Sequence, residues 1–407
     1  MIDNYSIKNF KIHKEENPIN LKGLTILTGT NNSGKSSITQ SIRLLSKVNR
    51  ESYSFTRLPL KEIKELGDFS RVLNKDVSRS ESIVYRFSID IEEVKFCDIK
   101  LEFKSAYNYE QAYIDMMDEI VLDNMDIYFE NYKDIFNFKY KINLNSEKGV
   151  VYDLYKIDLN NNSEEIIESE IVLRGLFPEF TPTNLDDGNL ELMKIARQLA
   201  NINEASIRFV PAFRQIENSN LAEVLENNKD RIIFDKKTKL YDAFIEWTLK
   251  LLNSNFKIKI ESNKAKIVAI DEGIEFDLSQ IGFGNTQVLP IIGSILLAKK
   301  GDLIIIENPE VHLHPRWKTN LIDLLYFAVS NGVNILIETQ SLEIINRVRL
   351  KVKHNNELCS KTSLYFFQKN KFSSNVDKIE IDKTGGLDYL PDDFIDKITI
   401  DDSIELL

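Results

Sequence analysis

Apolar positions near the N-terminus predict a strand that leads into a helix. An early strand and a short turn come first, and the largely apolar run LTIL at residues 24–27 then stands just before Gly29. Apolar residues next recur at helical spacing from Ile38 to Val48. The chain therefore passes from a strand to a helix through a short loop that contains glycine.

The middle of the chain has a different pattern. Between residues 51 and 204, the stretches SIVYRFSIDI, KFCDIKLEF, FNFKYKINL and GVVYDLYKIDL alternate apolar and polar residues, which is typical of half-buried antiparallel strands. We interpret residues 109–132, an acidic stretch of mixed periodicity, as a helix. No apolar heptad persists for several repeats, so the pattern does not indicate a long coiled-coil arm.

The C-terminal half returns to buried strands and helices. The strand patterns are SIRFV, FKIKIES, AKIVAID, DLIII and NILIE, and the helical patterns are LYDAFIEWTLKLLN and residues 321–328. DLIII, the second helix and NILIE follow one another as a parallel α/β sheet requires. We therefore predict an α/β head with a mixed or parallel sheet, formed by residues 1–50 and 205–407, and a β-rich lobe inserted at residues 51–204.

Composition narrows the class of protein. The 407 residues include 43% hydrophobic and 28% charged residues, which is the balance of a globular protein. The two cysteines, Cys97 and Cys359, lie in no Cys/His cluster, which argues against a disulfide framework or a zinc site. With no basic, apolar leader and no long apolar run, we expect a cytoplasmic protein that does not enter a membrane. The net charge of -11 does not favour a generally basic nucleic-acid surface, although a local basic groove stays open.

The loop between the first buried strand and its helix carries a phosphate-binding pattern. Residues 29–36, GTNNSGKS, match G-x-x-x-x-G-K-[ST] in the strand-to-helix context that this motif needs. Its glycines let backbone N–H groups surround phosphate oxygens, and the helix N-terminus adds positive potential. Lys35 would contact the β- and γ-phosphates of ATP, and the Ser36 hydroxyl would bind Mg²⁺. The predicted nucleotide-binding residues here are Gly29, Asn31, Asn32, Ser33, Gly34, Lys35, Ser36 and Ser37.

A second buried strand, DLIII, ends in polar residues with catalytic potential. Glu307 is placed to hold the metal ion, but it is followed by Asn308, whose amide cannot accept a proton as a general base. Glu310 is the nearest candidate for that role. His312 and His314 alternate like a metal pair, yet no further ligands are spaced nearby, so we interpret them as residues that orient the loop across a subunit interface.

Taken together, these motifs resemble those of the OLD-like and RecF-like branch of the ABC ATPases, especially stand-alone bacterial members associated with anti-phage defence. The matching stretches, in family order, are IKNFK, TGTNNSGKSS, FVPAFR, IGFGNTQVLPII, IIIENPEVHLHP and ETQSLEIINRVR, with GGLDYLPDDFID near the C-terminus. The resemblance covers both ends of the chain and leaves the middle largely unmatched. It implies an ABC-type P-loop ATPase head.

The resemblance also implies a head-to-tail homodimer or a higher oligomer. In such proteins, a signature segment of one subunit covers the ATP held by the other, and the matching segment here is Ile281 to Gln287. Gly282 and Gly284 permit a close approach to the γ-phosphate, and Asn285 can donate a hydrogen bond to it. Without the other motifs the segment is weak evidence, and the alternative is a glycine-rich turn before a core helix.

One further position departs from the family pattern. ETQS has Gln340 where the family usually has a histidine that contacts the γ-phosphate, and glutamine cannot carry a positive charge. Since Asn308 and Gln340 are both amides, we expect slow ATP hydrolysis and a nucleotide that acts chiefly to hold a dimer closed. The alternative is that these two amides position water well enough for ordinary hydrolysis.

The residues after the ETQS helix bear on whether an effector domain follows the ATPase head. Residues 362–407 are too few for a complete nuclease domain, so we expect a nuclease or toxin effector to be a separate protein. The leading hypothesis is an ATP-gated sensor or scaffold in bacterial defence. The alternative is a DNA repair or recombination ATPase that clamps DNA. The motif set disfavours a third class, the energising subunit of a transporter.

Overall fold

The computed structural model describes residues 2–49, 56–91, 94–106, 120–132, 134–143, 146, 150–158, 163–178, 187–214, 218–234, 237–262 and 264–391. The strands are β1 Ile2–Lys8, β2 Ile19–Asn20, β3 Leu24–Gly29, β4 Ile83–Ile89, β5 Val94–Ser105, β6 Ile120–Asn131, β7 Ile135–Asn143, β8 Val151–Ile157, β9 Glu164–Ile171, β10 Leu173–Arg174, β11 Phe177–Pro178, β12 Ile207–Val210, β13 Asn255–Glu261, β14 Lys264–Asp271, β15 Ile274–Asp277, β16 Leu303–Glu307, β17 Asn334–Glu338, β18 Thr362–Asn370 and β19 Ser373–Ile379. The α-helices are α1 Lys35–Leu45, α2 Phe69–Val72, α3 Asp187–Ala200, α4 Asn218–Asn227, α5 Leu240–Leu252, α6 Phe283–Leu296, α7 Pro315–Ser330 and α8 Leu342–His354.

Contacts within the chain divide it into two compact units. The first contains residues 1–20, 31–207 and 367–376, and the second contains residues 21–30, 208–366 and 377–407. The division falls inside the phosphate loop, between Thr30 and Asn31. The proposed partition into a head and an inserted lobe, at residues 1–50, 51–204 and 205–407, stays a prediction.

The first unit is built on an eight-stranded sheet in the order β2-β1-β4-β5-β6-β7-β8-β9. Neighbouring strands are antiparallel throughout. Aromatic side chains fill one face, where Tyr85 makes edge-to-face contacts with both Tyr5 and Phe103. The four strands predicted from alternation in the middle region are confirmed as β4, β5, β7 and β8.

The helix predicted at residues 109–132 is wrong where the structure describes it. Residues 120–131 form β6, and residues 109–119 lie outside the described residues. Met125, Ile127 and Phe129 are buried and alternate with more exposed residues, so the period of two governs this stretch. Its acidic residues mostly occupy the opposite face of the strand, which made the segment resemble a charged helix.

The second unit is built on a sheet of order β12-β16-β17-β3-β18-β19, of which residues 367–376 belong to the first unit. Strands β16, β17 and β3 are parallel. The runs LIII of β16 and ILI of β17 are completely buried, as expected for strands covered on both faces. Helices α5, α6, α7 and α8 pack around this core, and β13, β14 and β15 form a separate antiparallel sheet.

Among the described helices, none has both the length and the apolar character needed to cross a membrane.

Candidate nucleotide-binding and hydrolysis site

The phosphate loop has the backbone conformation that its sequence predicts. It begins where β3 ends at Gly29 and finishes where α1 begins at Lys35. Gly29, Asn32 and Gly34 have φ angles of 126°, 57° and 107°, in the region that glycine, and to a lesser degree asparagine, adopts at low cost. Such left-handed positions turn successive N–H groups toward one side of the loop and form an anion-binding concavity.

The lysine of the loop is buried and contacts a serine of the same loop. Lys35 is only 3% exposed, and its Nζ donates to the Ser33 hydroxyl at 3.4 Å. The N-cap of α1 is Gly34, which has no side chain that could cap the first turn, and a helix N-terminus attracts anions. Backbone amides, a buried ammonium group and the Ser36 hydroxyl are the donor types that a triphosphate with Mg²⁺ requires.

Two residues from distant parts of the first unit brace the loop. The buried His13 ring places Nε2 2.9 Å from the Gly34 carbonyl oxygen. The Ser374 hydroxyl donates to the Ser33 carbonyl oxygen at 2.5 Å. Both bonds use carbonyl groups on the loop as acceptors. Sequence analysis missed both residues, since no local pattern marks either one.

His13 is a neutral donor in this position. Burial lowers its pKa to about 4, with the hydrogen bond to Gly34 acting in the opposite direction. A neutral ring that donates from Nε2 leaves Nδ1 as an acceptor, and Nδ1 is buried without a hydrogen-bond partner among the described residues. The Phe367 ring stands edge-on to the imidazole at 6.2 Å.

Glycine is required at position 34 for two reasons. Its φ angle is unfavourable for any residue with a side chain. A Cβ atom there would also lie 2.7 Å from the Ile12 side chain and 2.8 Å from His13 Nε2. The second glycine of the motif therefore makes room for the residues that brace the loop.

The acidic residues meet at the carboxyl edge of the parallel sheet in the second unit. Glu307 at the end of β16 is the register partner of Glu338 at the end of β17. Glu338 in turn pairs with Leu27 of β3, and the next residue, Thr339, donates its N–H to the Leu27 carbonyl at 3.0 Å. The phosphate loop therefore leaves β3 at the same edge at which β16 presents Glu307.

The structure brings the predicted hydrolysis residues of this edge together. The Asn308 N–H donates to the Glu338 carbonyl at 2.7 Å. Oε1 of Glu310 accepts from the Thr339 hydroxyl at 2.7 Å and lies 3.4 Å from the Gln340 N–H. Oε2 of Glu310 is buried without a hydrogen-bond partner in the described part of the chain. A carboxylate oxygen with open lone pairs can accept a proton, and the role of Glu310 as the base stays a prediction.

Arg214 is a residue of this edge to which the sequence assigned no role. It closes the matching stretch FVPAFR and is 3% exposed. One guanidinium nitrogen, Nη2, donates to the carbonyl oxygens of Glu307 and Asn308 at 2.8 and 3.1 Å. Burial lowers its pKa to about 10, and the nearby carboxylates of Glu310 and Glu307 oppose this shift. Arg214 thus fixes the backbone from which both predicted catalytic side chains project.

The segment predicted to cover a partner's nucleotide forms the start of α6. Gly282 is its N-cap, with φ at -55°, which any residue adopts. Gly284 is different, because a Cβ atom there would lie 2.6 Å from the His312 carbonyl oxygen and 3.1 Å from the Trp317 ring. The side chain of Asn285 lies outside the described structure. Glycine at 284 therefore has a reason within its own subunit.

The two histidines after Glu307 shape the loop that follows β16. His312 has a φ angle of 64°. His314 is the N-cap of α7, where its Nδ1 accepts from the Arg316 N–H at 3.2 Å. Over the described residues, no group of three or more histidine, cysteine or acidic side chains is arranged to hold a metal ion. The placement of these histidines at a subunit interface stays a prediction.

Comparison with known families decides the class of protein. The sequence model of the AAA ATPase domain matches residues 1–345. The chain belongs to this AAA ATPase family. The match runs from β1 through the phosphate loop and the acidic edge and into α8, so it contains every residue that sequence analysis assigned to the site.

Two known proteins are similar to this AAA ATPase. It is 22% identical over 395 residues to Endonuclease GajA of Bacillus cereus (strain HuB5-5), in an alignment that covers 83% of this chain and 55% of the relative. The chain thus spans about half the length of that relative. The crystal structure of an Smc head bound to the C-winged helix domain of ScpA matches with a TM-score of 0.52 at 12% identity, covering 94% of this chain and 98% of that one. The expected ABC-type head fold is confirmed.

Proposed function

We propose that this ATPase binds ATP with Mg²⁺ and hydrolyses it slowly, so that bound nucleotide acts as a switch. The observation that carries the proposal is the phosphate loop, in which Gly29, Asn32 and Gly34 hold left-handed conformations beside the buried Lys35. A buried ammonium group is not needed to form a turn, whereas it binds strongly to the negative charge of a triphosphate. Family membership supports the same reading.

The residue roles proposed for hydrolysis follow from the chemistry of their side chains. Ser36 and Glu307 supply oxygen ligands for Mg²⁺, an ion that favours hydroxyl and carboxylate groups. Glu310 serves as the general base, supported by its buried acceptor atom Oε2. Asn308 and Gln340 orient water by hydrogen bonding and take no proton. Turnover is slow because the usual base position holds an amide.

The switch works between two copies of the chain. In this proposal, the segment at residues 281–287 of one subunit covers the nucleotide on the phosphate loop of the other, in a head-to-tail homodimer or a higher oligomer. Support comes from the exposed Gly282 at the N-terminus of α6, since helix N-termini attract phosphate.

The biological role proposed for this switch is that of a sensor or scaffold in bacterial anti-phage defence. This role rests on the motif resemblance and on the similarity to Endonuclease GajA. In this proposal, nuclease or toxin activity is supplied by a separate effector protein. Purification with and without ATP, followed by mass measurement of the complexes, would identify such a partner. Recovery of the chain alone in both states would contradict the scaffold role.

A DNA repair or recombination ATPase that clamps DNA is the second candidate. The observation in its favour is that a relative carries the name endonuclease, an activity on nucleic acid. The net charge of -11 opposes broad electrostatic binding to DNA. DNA binding that requires ATP and weakens steeply with salt would favour this candidate over the sensor.

A single-turnover ATPase assay tests the proposed chemistry. Replacing Glu310 with Gln keeps the size of the side chain and removes its ability to accept a proton, so the rate of the chemical step should fall by about 100-fold with ATP binding retained. The matched control is Glu343→Gln, since Glu343 is an exposed carboxylate that pairs with Lys318. Fast hydrolysis that survives Glu310→Gln would contradict both the slow switch and the assigned base.

A further inference from the structure

A buried side-chain amide joins α6 to the chain segment that follows β12. Gln287 Oε1 accepts from the Arg214 N–H at 3.1 Å, and Gln287 Nε2 donates to the Arg214 carbonyl at 2.9 Å. Gln287 is 1% exposed. The planar amide of glutamine places a neutral donor and a neutral acceptor side by side, as this pair of hydrogen bonds to one residue requires. The backbone of residue 214 is therefore tied to the first turns of α6.

The side chain of the same residue continues the connection. Arg214 Nη2 reaches the carbonyl oxygens of Glu307 and Asn308. A planar guanidinium can hold two neighbouring acceptors in one geometry, which a lysine ammonium on its flexible stem does less well. A displacement at Gln287 is thus passed to the backbone of Glu307, which ends β16, and of Asn308, which follows it. No contact between α6 and their side chains is needed.

This arrangement carries a cost that packing alone does not explain. Nε and Nη1 of Arg214 are buried and lack hydrogen-bond partners among the described residues. Burying unsatisfied donors destabilises the folded state, and an apolar residue of similar size would avoid this penalty. The two nitrogens lie in the field of the Glu310 and Glu307 carboxylates, so the charge is kept where the hydrolysis residues meet.

We infer that Arg214 is a positioning residue that couples the start of α6 to the Glu307–Asn308 backbone. The inference rests on the proposed function, in which residues 281–287 contact the nucleotide of a second copy. Docking of that copy would shift or stiffen α6, Gln287 would transmit the change to residue 214, and the guanidinium would set the positions of Glu307 and Asn308. Hydrolysis is thereby made sensitive to whether the dimer is closed.

A double-mutant cycle on the full chain tests this connection. Arg214→Lys keeps the charge and weakens the link to Glu307 and Asn308, and Gln287→Met keeps the side-chain length and breaks the link to residue 214. Each single change should lower kcat by about 10-fold to 100-fold with KM for ATP changed by less than about twofold. Because both act on one connection, the double variant should fall no further than the slower single variant.

The matched control is Arg208→Lys. Arg208 lies on β12, where it donates to the Leu297 carbonyl at 2.9 Å, just beyond the C-terminal end of α6, and pairs with Asp302 just before β16. It therefore tests burial and helix anchoring at the start of β16, at the end of the strand opposite Glu307. It should lower the unfolding temperature as Arg214→Lys does and leave kcat unchanged. The inference would be overturned if Arg208→Lys lowered kcat as much as Arg214→Lys does. It would also be overturned if Arg214→Lys left kcat unchanged, or if the two effects multiplied in the double variant. Wild-type protein that binds no ATP would instead overturn the proposed function.

Discussion

The phosphate loop and the segment at the start of α6 both contain two glycines, but the glycines act differently. In the loop, Gly29 and Gly34 have positive φ angles, so the backbone conformation itself demands glycine. At the start of α6, Gly282 has an ordinary conformation, and Gly284 is needed because the His312 carbonyl approaches closely. A glycine that is needed for its backbone conformation can be recognised from the local sequence. A glycine that is needed because another part of the chain approaches it closely can be recognised only when the tertiary structure is known.

The strongest loss of ATP affinity is expected from a change at the lysine of the phosphate loop. Lys35→Ala removes the ammonium group that contacts the Ser33 hydroxyl. Loss of two charge-assisted contacts to phosphate would cost about 4 kcal/mol, or about 1000-fold in ATP affinity. Equilibrium binding of a fluorescent ATP analogue measures the loss, with Lys11→Ala as a control, because Lys11 contacts Gln40 within the same unit. ATP affinity within about tenfold of the wild type would remove the basis for the loop assignment.

The brace beneath the loop should make stability depend on pH. The folded-state pKa of His13 is about 4, below its ordinary value near 6.5, so the unfolded state binds more protons as the pH falls. The contribution of His13 is complete above about pH 6.5 and declines toward pH 4, with a total loss of about 3 kcal/mol. Urea unfolding at about pH 7 and about pH 5 should show a drop about 2 kcal/mol larger in the wild type than in His13→Gln.

The His13→Gln variant also tests the contact itself. Its side-chain amide can donate to the Gly34 carbonyl but does not titrate between these pH values. Equal pH dependence in the two proteins would show that His13 is protonated as easily in the folded state as in the unfolded state. That result would contradict the buried, neutral imidazole.

How much of the molecule the sequence predicts depends on how local the physical cause is. Alternation identified β4, β5, β7 and β8, because each strand exposes one face and buries the other. The same rule was misapplied at residues 120–131, where acidic side chains obscured the alternation. The conformations of Gly29 and Gly34 also followed from their motif, since the turn needs them whatever surrounds it.

The supporting residues of the site could not be predicted in this way. His13 meets Gly34 across 21 residues of sequence, Ser374 meets Ser33 across 341, and Arg214 meets Asn308 across 94. In each case the partner of the side-chain donor is a backbone carbonyl, which has no sequence signature. Only the tertiary fold brings them together, although FVPAFR did mark the stretch that ends in Arg214.

The two glycines at the start of α6 should differ in their effect on stability, even in the absence of nucleotide. Gly284→Ala would push a Cβ atom against the His312 carbonyl oxygen, at a cost of about 1–3 kcal/mol in the free energy of unfolding. Gly282→Ala places a methyl group at an exposed position of ordinary conformation, where changes usually stay within about 0.5 kcal/mol. Urea unfolding of the two variants measures the difference. Equal stabilities would mean that neither glycine is needed for the stability of the single subunit, and that both serve only the contact with a partner.

The smallest expected effect concerns the amide at the end of β16. Asn308 has a φ angle of 40°, a conformation that asparagine and aspartate tolerate better than most residues. Asn308→Asp therefore supplies a proton acceptor in addition to Glu310 without new backbone strain, and kcat should rise by about tenfold, a gain of about 1.4 kcal/mol. Asn308→Gly is the control, because it relaxes the same backbone and supplies neither amide nor carboxylate. A steady-state assay in which aspartate is no faster than asparagine would show that the amide already positions water well enough, and the slow step would then lie in the opening of the dimer.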